Sequence, residues 1–255
     1  MIICFDVGNT DIDAGIFENG EIIKSINIDY RKDFTRQQFL LAVTESFEKE
    51  GIKKEDVSGT VLCSVVAPVT NGLARALKEL TGKAPLIFKN DEYADMKINA
   101  PHPEQVGLDI IAGCLMVREK GSLPAVVIDM GTATTVTAMD KEGAILGVSI
   151  LTGVVTTLKA LNTATGLPVD LSLTPPEKVI GYDTPTAIAS GRVFGRAYAV
   201  EGMVKAFWRE MGTETDVYAT GGISKVIMPL TNMPCVTDEN LLLKGLYEYY
   251  KNAQS

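Results

Sequence analysis

A pattern that occurs twice restricts the fold of this chain more than any other feature. The segment 125–150 predicts a buried strand that ends in Asp129, a tight Gly-Thr turn, and two further strands. The segment that starts at residue 1 predicts the same order of elements. Three pairs of residues match at a constant offset of 123 residues: Asp6 with Asp129, Gly8 with Gly131, and Gly20 with Gly143. Because this offset is close to half of the 255 residues, the sequence predicts a duplicated α/β domain.

The turn after the first strand of each repeat is suited to holding phosphate. Gly8 and Gly131 let the backbone bend and approach a ligand closely, because glycine has no Cβ. The turn exposes N–H groups that can hold anionic oxygens, and Asp6 and Asp129 offer oxygen ligands to a hard cation such as Mg²⁺. Neighbouring hydroxyls belong to Thr10, Thr132, Thr134 and Thr135. Two ordinary hairpin turns are the alternative, but two copies favour a nucleotide cleft between the halves.

Charge and residue types exclude several classes of function. The net charge of −8, with no basic cluster, argues against a nucleic-acid or anionic-membrane surface, and no apolar run reaches the length of a membrane span. No signal peptide is expected, and four cysteines without a CxxC pair fit a reduced, cytoplasmic setting. The single histidine, His102, and the absence of a P-loop leave carboxylates, hydroxyls, backbone amides and a bound metal as the reactive groups.

The remaining segments predict helices that alternate with strands, which suggests parallel pairing beyond the first three strands of each repeat. A dense apolar helix is predicted over residues 103–120, and Asp109 lies in its first two turns between Leu108 and Ile110. A carboxylate with such neighbours is expected to be paired or functional. We divide the chain into an N-terminal half, residues 1–115, and a C-terminal half, residues 116–255.

Two later helices are predicted from their caps. The first starts with Thr184 as N-cap and Pro185 as its first helical residue, and it runs to about Met211. Its glycines predict close packing against another backbone: Gly191, Gly195 and Gly202. The second covers residues 238–252, with Asp238 as its N-cap.

These features suit transfer of a γ-phosphoryl group to a hydroxyl, which needs positioning, charge neutralisation and a base near the acceptor. Asp6 is expected to hold the metal, and Asp109 is expected to accept the hydroxyl proton. Gly221 and Gly222 follow the last predicted strand, and they either lie against the adenine or ribose or form an ordinary tight turn. A regulatory or scaffold protein with little catalysis is the rival reading, although three carboxylates in such motifs favour an enzyme.

The motifs together resemble the type III pantothenate kinase family over nearly the whole chain. They are Asp6-Val7-Gly8-Asn9-Thr10, Gly107-x-Asp109, Asp129-Met130-Gly131-Thr132-Ala133-Thr134-Thr135 and Asp238-Glu239-Asn240-Leu241. The resemblance implies two ribonuclease-H-like domains of the actin and sugar-kinase superfamily. It also implies a homodimer that uses ATP, Mg²⁺ and a monovalent cation (K⁺ or NH₄⁺) to make 4′-phosphopantothenate for coenzyme A.

The resemblance also implies roles for single residues. The segment Asp6 to Asp13, which includes Gly8, Asn9 and Thr10, and the residue Thr132 would bind ATP. The turns described above add Gly131, Thr134, Gly221 and Gly222 to the predicted nucleotide contacts. Asp109 would be the proton acceptor, and Asp129 would ligate the monovalent cation. The acceptor would contact Gly107, Leu108, Ile110 and Thr184.

The acceptor side departs from the family pattern, whereas the nucleotide side keeps it. Ile110 stands where the family has an arginine that grips the pantothenate carboxylate, and Ala100 stands where it has a tyrosine. Losing a charge-assisted contact costs about 1.5–3 kcal/mol. Arg118, Arg192 or a partner protomer could supply the missing cation. The sequence therefore leaves two acceptors open, pantothenate in a reworked pocket or another small hydroxyl compound.

Overall fold

The computed structural model describes residues 1–8, 11–64, 66–168, 170 and 172–255. The strands are β1 (Ile2–Val7), β2 (Asp11–Glu18), β3 (Glu21–Asp29), β4 (Gly59–Ser64), β5 (Leu86–Ile87), β6 (Ala125–Met130), β7 (Ala133–Met139), β8 (Ile145–Thr152), β9 (Asp216–Thr220) and β10 (Val236–Thr237). The α-helices are α1 (Arg36–Glu50), α2 (Ala67–Thr81), α3 (Leu108–Lys120), α4 (Val154–Thr165), α5 (Thr184–Met211), α6 (Ser224–Ile227) and α7 (Leu241–Asn252).

The described residues form two compact units, each built on a five-stranded mixed sheet. Unit 1 contains Met1–Met96, His102–Lys120 and Asn240–Ser255, and unit 2 contains Lys97–Pro101 and Gly121–Glu239. The strand order is β3-β2-β1-β4-β5 in unit 1 and β8-β7-β6-β9-β10 in unit 2. In both sheets the first three strands pair antiparallel and the later two add in parallel. The two sheets therefore have one topology, which confirms the predicted duplicated α/β fold.

The register of the strands shows where the two repeats differ in length. Asp6 lies opposite Asp13 in the first sheet, whereas Asp129 lies opposite Thr135 in the second, so the turn between these strands is one residue shorter in unit 2. The irregularities that follow, between residues 16 and 17 and between residues 138 and 139, are offset by 122 residues rather than 123. The offset returns to 123 at the next glycine turn. The constant spacing of the glycines thus conceals one deletion and one insertion.

Helix α7 completes unit 1, although it follows unit 2 in the chain. Gly245 lies so close to α3 that an added Cβ would be 1.9 Å from the Ala112 carbonyl oxygen. The Tyr249 hydroxyl donates to the Asp91 carboxylate at 2.9 Å. The compact units therefore follow a different partition from the halves 1–115 and 116–255, which divide α3 and place α7 with the second sheet. Those halves stay a prediction about the duplication.

The core of unit 2 lies between its sheet and α5, and one buried charge is held there. Val126, Val136 and Val193 belong to this core, and each is fully buried. The Glu201 carboxylate, also buried, accepts from Lys205 Nζ at 2.5 Å and from the Asn232 N–H at 3.1 Å. These hydrogen bonds lower the pKa of Glu201 from its ordinary value. The hydrogen bond from Asn232 attaches the segment after α6 to the middle of α5.

Two predicted helix starts are corrected by the structure. Asp183, not Thr184, caps α5, because its carboxylate accepts from the Thr186 N–H at 2.9 Å. Asp and Thr are both common N-cap residues, so the sequence does not separate Asp183 from Thr184. Pro185 fits in either case, because proline is tolerated as the first or the second helical residue. Helix α7 begins after Asn240 rather than after Asp238. The Asp238 N–H donates instead to the Ala219 carbonyl at 2.8 Å, which continues the pairing of β10 with β9.

The glycines of α5 do not pack on a backbone within the described chain. No described atom outside their own helix turns lies within 4 Å of a Cβ added at Gly191, Gly195 or Gly202. The predicted close contact is therefore wrong for this chain alone, and this side of α5 is open. Among the described helices, none is long and apolar enough to cross a membrane.

Candidate active site

The turn between β1 and β2 presents carboxylates at the centre of the first sheet. The Gly8 N–H donates to the Asp11 carbonyl at 3.0 Å and closes the turn. Asn27 of β3 donates to Asp11 at 3.0 Å and to Asp13 at 2.8 Å, so one amide holds both carboxylates. The hydroxyl of Tyr30 donates to the Gly8 carbonyl at 2.6 Å. The predicted nucleotide contacts Asn9 and Thr10 lie outside the described residues.

The charges of Asp6 and Asp109 both affect one buried thiol in unit 1, that of Cys63. Cys63 of β4 is directly opposite Asp6 in the parallel β1–β4 pair. The pKa of the Cys63 thiol is raised well above its ordinary value, first by burial and then by the negative charges of Asp6 and Asp109. The predicted metal ligand and the predicted base therefore both act electrostatically on the thiol near the end of β4. Sequence reasoning did not single out Cys63.

The segment that precedes α3 sets the position of the Asp109 carboxylate. Asp109 Oδ1 accepts from the Ile110 N–H at 2.9 Å in the first turn of the helix. A Cβ added at Gly107 would lie 2.3 Å from the same oxygen, so this conformation of the carboxylate needs a glycine at position 107. Leu108 and Ile110 are half-buried beside it. The Asp109 carboxylate is thus held at a helix N-terminus by its own local backbone.

In unit 2, the turn between β6 and β7 follows Asp129 and is fastened to the start of α4. The Gly131 N–H donates to the Ala133 carbonyl at 2.9 Å. The Thr132 carbonyl accepts from the Gly153 N–H at 3.0 Å and from the Thr156 hydroxyl at 2.9 Å. A Cβ at Gly153 would lie 2.4 Å from the carbonyl oxygens of both Gly131 and Thr132. The two turns are therefore in direct backbone contact.

The hydroxyls of this turn differ in accessibility. Thr132 is exposed, whereas Thr134 is fully buried, and its hydroxyl has no hydrogen-bond partner among the described residues. Thr132 lies in the turn itself, while Thr134 belongs to β7 and points into the unit. Thr132 is therefore the hydroxyl that a ligand at this turn can reach without a rearrangement.

The turn after β9 lies against the end of β6. Gly221 has a φ of +88°, and an added Cβ would be 2.6 Å from the Met130 carbonyl oxygen. Only glycine fits both conditions. Gly222 is exposed, and no described atom lies within 4 Å of its Cβ position, so its backbone is accessible to a flat ligand. The turns that carry Gly131, Gly153 and Gly221 thus converge in unit 2.

Thr184 lines a cavity of about 870 Å³ between α4 and the first half of α5. The α4 wall is apolar, with Val154, Leu158 and Leu161. The α5 wall carries two arginines, Arg192 and Arg196. Sequence reasoning considered Arg192 but missed Arg196 and the cavity.

Two mixed five-stranded sheets of one topology define the class of this protein, a duplicated α/β fold. Solved structures share it at low sequence identity, so they show the fold alone. A protein of Campylobacter jejuni assigned to the Baf family of transcriptional activators has a TM-score of 0.60 at 16% identity, over 99% of this chain and 98% of that one. The activator of the 2-hydroxyisocaproyl-CoA dehydratase from Clostridium difficile, with bound ADPNP, has a TM-score of 0.54 at 13% identity, over 99% and 96%.

Sequence comparison identifies the family within this class. The profile of the type III pantothenate kinases matches residues 2–206. A type III pantothenate kinase of Persephonella marina is 32% identical over 252 residues, which cover 98% of this chain and 98% of that protein. The chain belongs to the type III pantothenate kinase family, a family of ATP-using phosphotransferases in coenzyme A biosynthesis. The predicted family is confirmed.

Proposed function

We propose that this chain phosphorylates pantothenate to 4′-phosphopantothenate with ATP and Mg²⁺. The observation that carries the proposal is that Asp6 lies opposite Cys63 in the β1–β4 pair, and that the charges of both Asp6 and Asp109 contribute to the raised pKa of this buried thiol. A metal-holding carboxylate and a basic carboxylate near one point are the two groups that phosphoryl transfer to a hydroxyl requires. A scaffold protein on the same fold has no need of this arrangement.

Asp109 acts as the base in this reaction. Its carboxylate accepts the proton of the acceptor hydroxyl while the hydroxyl oxygen forms a bond to the γ-phosphorus. The bond from that phosphorus to the bridging oxygen breaks, and ADP leaves with the electron pair. Gly107 makes room for the carboxylate, and the Ile110 N–H fixes one of its oxygens. The other oxygen is then the one that takes the proton.

The carboxylates fit the cations that the family implies. Mg²⁺ is commonly held by one or two carboxylates together with the phosphates of its nucleotide, and Asp6 in the middle strand of its sheet suits this role. We assign Asp129 to a monovalent cation, K⁺ or NH₄⁺, at the equivalent strand of unit 2. In the described part of the chain, no three His, Cys, Asp or Glu side chains gather into a metal-holding group. Mg²⁺ held there would neutralise the negative charge that develops on the phosphates.

In each unit taken by itself, the glycine turns are the candidates for contacts with the nucleotide. In unit 2 these are the exposed Gly131–Thr132 turn and the exposed backbone at Gly222. In unit 1 they are Gly8 and the carboxylate of Asp13, with Asn9 and Thr10 assigned from the family pattern. Titration of Mg-ATP by calorimetry, with and without K⁺, tests this assignment. Absence of heat at millimolar nucleotide would contradict both the nucleotide site and the kinase reading.

A second acceptor is favoured by one observation. Ile110 is half-buried and apolar at the position where the family has a cation for the pantothenate carboxylate. The alternative is a kinase for another small hydroxyl compound. An assay of ADP release over pantothenate, pantetheine, pantoate and simple polyols separates the two acceptors. The double variant Ile110→Arg with Ala100→Tyr then shows whether the family cation improves turnover of pantothenate.

We further infer that the chain works as a homodimer in the cytoplasm. Ile180 and Tyr182 are 84% and 82% exposed in unit 2, and Tyr198 of α5 is 49% exposed. Large exposed apolar side chains next to an open glycine face are typical of a protein interface, and a second copy fits the family. Light scattering at micromolar concentration should give a dimer, and Tyr198→Asp should weaken it. The four free cysteines fit a reducing compartment.

A further inference from the structure

The cavity between α4 and α5 joins an apolar wall to a cationic one. Thr184, Ile188, Arg192 and Arg196 follow one another at intervals of four residues along α5, so they share one side of the helix. Leu158 and Leu161 of α4 face them across the cavity. Gly191 and Gly195 also line it, and their missing side chains leave the space open.

Arg192 is buried and only partly used by the protein. The side chain is 8% exposed. Its Nη1 donates to the Asp170 carbonyl, while its Nε is enclosed and has no acceptor among the described residues. A guanidinium offers five N–H donors, and a buried donor without an acceptor is costly. This charge therefore favours an acceptor that the described protein residues do not supply.

Arg196 lies one turn further along the same wall. Its Nη2 donates to the Thr152 carbonyl and, at 3.5 Å, to the Thr157 hydroxyl. Burial lowers the pKa of Arg196 from its ordinary value, but an arginine stays protonated at neutral pH. Both of its described contacts are with neutral oxygens, so its positive charge is not neutralised by them.

The acidic groups near the cavity accept their hydrogen bonds from groups other than the two arginines. The Asp183 carboxylate caps α5 by accepting from the Thr186 N–H and hydroxyl. The Asp170 carboxylate accepts from the Ser172 N–H at 2.9 Å. Hydrogen bonds from Ser172 and, to a smaller extent, the charge of Arg192 lower the pKa of Asp170. Among the described residues, neither arginine forms a salt bridge with a carboxylate. The cavity therefore holds two positive charges and hydrophobic surface.

We propose that this cavity binds the carboxylate end of the acceptor through Arg192 and Arg196, with its apolar body against α4. The proposal rests on the proposed function, and it assigns to these arginines the recognition that Ile110 cannot perform. Thr184, which the family pattern places at the acceptor, lines the same cavity. A volume of about 870 Å³ lies within the range of small-molecule pockets, about 300–1,000 Å³. Paired N–H donors match the two oxygens of a carboxylate.

The test compares pantothenate with panthenol, in which a hydroxymethyl group replaces the carboxylate. Calorimetry measures the binding of both compounds without nucleotide, and ADP release measures their turnover. Arg196→Gln is the main variant, because Arg196 is half-buried and its loss leaves no buried charge unpaired. Arg209→Gln, on the exposed last turn of the same helix, is the matched control. Arg192→Lys retains a positive charge but removes the planar fork.

The expected result is that the wild type binds pantothenate more tightly than panthenol. Arg196→Gln should weaken pantothenate binding about 10- to 100-fold, which is the loss of one charge-assisted contact, and should leave panthenol binding unchanged. Arg192→Lys should reduce the same preference, and Arg209→Gln should not alter it. Equal binding of the two compounds by the wild type, or a preference that survives Arg196→Gln, would overturn the proposal. Binding with this preference but without ADP release would support the cavity and refute the kinase reaction.

Discussion

The substitution Gly153→Ala tests whether the Gly131–Thr132 turn of unit 2, which we propose to bind nucleotide, is held by direct backbone contact. The new Cβ would lie 2.4 Å from the carbonyl oxygens of Gly131 and Thr132, whereas ordinary contact begins near 3.4 Å. Both obstacles are backbone atoms, so no side-chain rotation relieves the clash. The turn must withdraw by about 1 Å, and the hydrogen bond from the Gly153 N–H to Thr132 must lengthen from 3.0 Å.

The cost follows from these two effects. Overpacking of this kind costs about 1–3 kcal/mol, and loss of a backbone hydrogen bond adds about 1 kcal/mol. For a chain of this size, about 2–4 kcal/mol lowers the Tm by about 4–16 °C. The φ of Gly153 is −65°, which alanine adopts without strain, so the effect is steric alone. Because the displaced turn is the one assigned to nucleotide, the affinity for Mg-ATP should fall about tenfold or more.

Calorimetry of Mg-ATP binding and thermal unfolding measure both effects on the same samples. Gly147→Ala on the adjoining β8 is the matched control, since no described atom lies within 4 Å of its added Cβ. This control should keep the Tm and the ATP affinity of the wild type. If Gly153→Ala also keeps both, the two turns are not in rigid contact. If it lowers the Tm but not the affinity, the Gly131–Thr132 turn does not bind the nucleotide.

Three further predictions concern the helices and their carboxylates. Gly245→Ala should lower the free energy of unfolding in urea by at least about 3 kcal/mol, because its Cβ would lie 1.9 Å from a carbonyl oxygen of α3. The control Gly113→Ala should be near neutral, because no described atom lies within 4 Å of its added Cβ. Equal effects of the two variants would contradict this packing. Asp109→Asn should lower turnover by about 10²–10⁴-fold and should retain the affinity for the nucleotide. An unchanged rate would show that Asp109 is a structural residue and not the base. The lowered pKa of Glu201 stabilises the native state above the unfolded value of 4.5, and this contribution is lost as the pH falls through the native pKa. Glu201→Gln should therefore lower the Tm at pH 7, with a difference that closes in acid, and a difference independent of pH would refute this linkage.

The sheets could be predicted because their pattern is local. Alternating apolar residues and glycine turns specify strands and hairpins without knowledge of tertiary partners, and the same pattern occurs twice. The one-residue difference between the turns could not be seen, because the glycine spacing restores itself at the next turn. Helix caps were ambiguous for a similar reason. Asp183 and Thr184 are adjacent and both can cap, and only the hydrogen bond to Thr186 separates them.

The sequence offers candidate site residues where they belong to motifs, and it does not report the packing around them. Asp6 is a candidate because it ends the first strand of a turn that occurs twice, and Asp109 is a candidate because a carboxylate in an apolar segment is expected to be paired or functional. The pairing of Asp6 with Cys63 across β1 and β4, and the effect of both charges on that thiol, depend on the tertiary structure, which no spacing in the sequence reports. Arg196 was missed although a signal exists: Gly-Arg occurs twice, four residues apart, at 191–192 and 195–196. On a helix this spacing places two cations and two gaps on one side.

The place of α7 has a consequence for the order in which a growing chain can fold. Unit 2 needs nothing beyond Glu239, whereas unit 1 also needs Asn240–Ser255. During synthesis, domains fold as units as soon as their residues emerge from the ribosome. The first sheet to be translated is therefore the last to be completed, and the surface of α3 that receives Gly245 stays uncovered in the meantime. A truncated mRNA that ends after codon 239 would yield an intact second unit joined to a first unit with an exposed apolar face. Chaperones and proteases would recognise that exposed face.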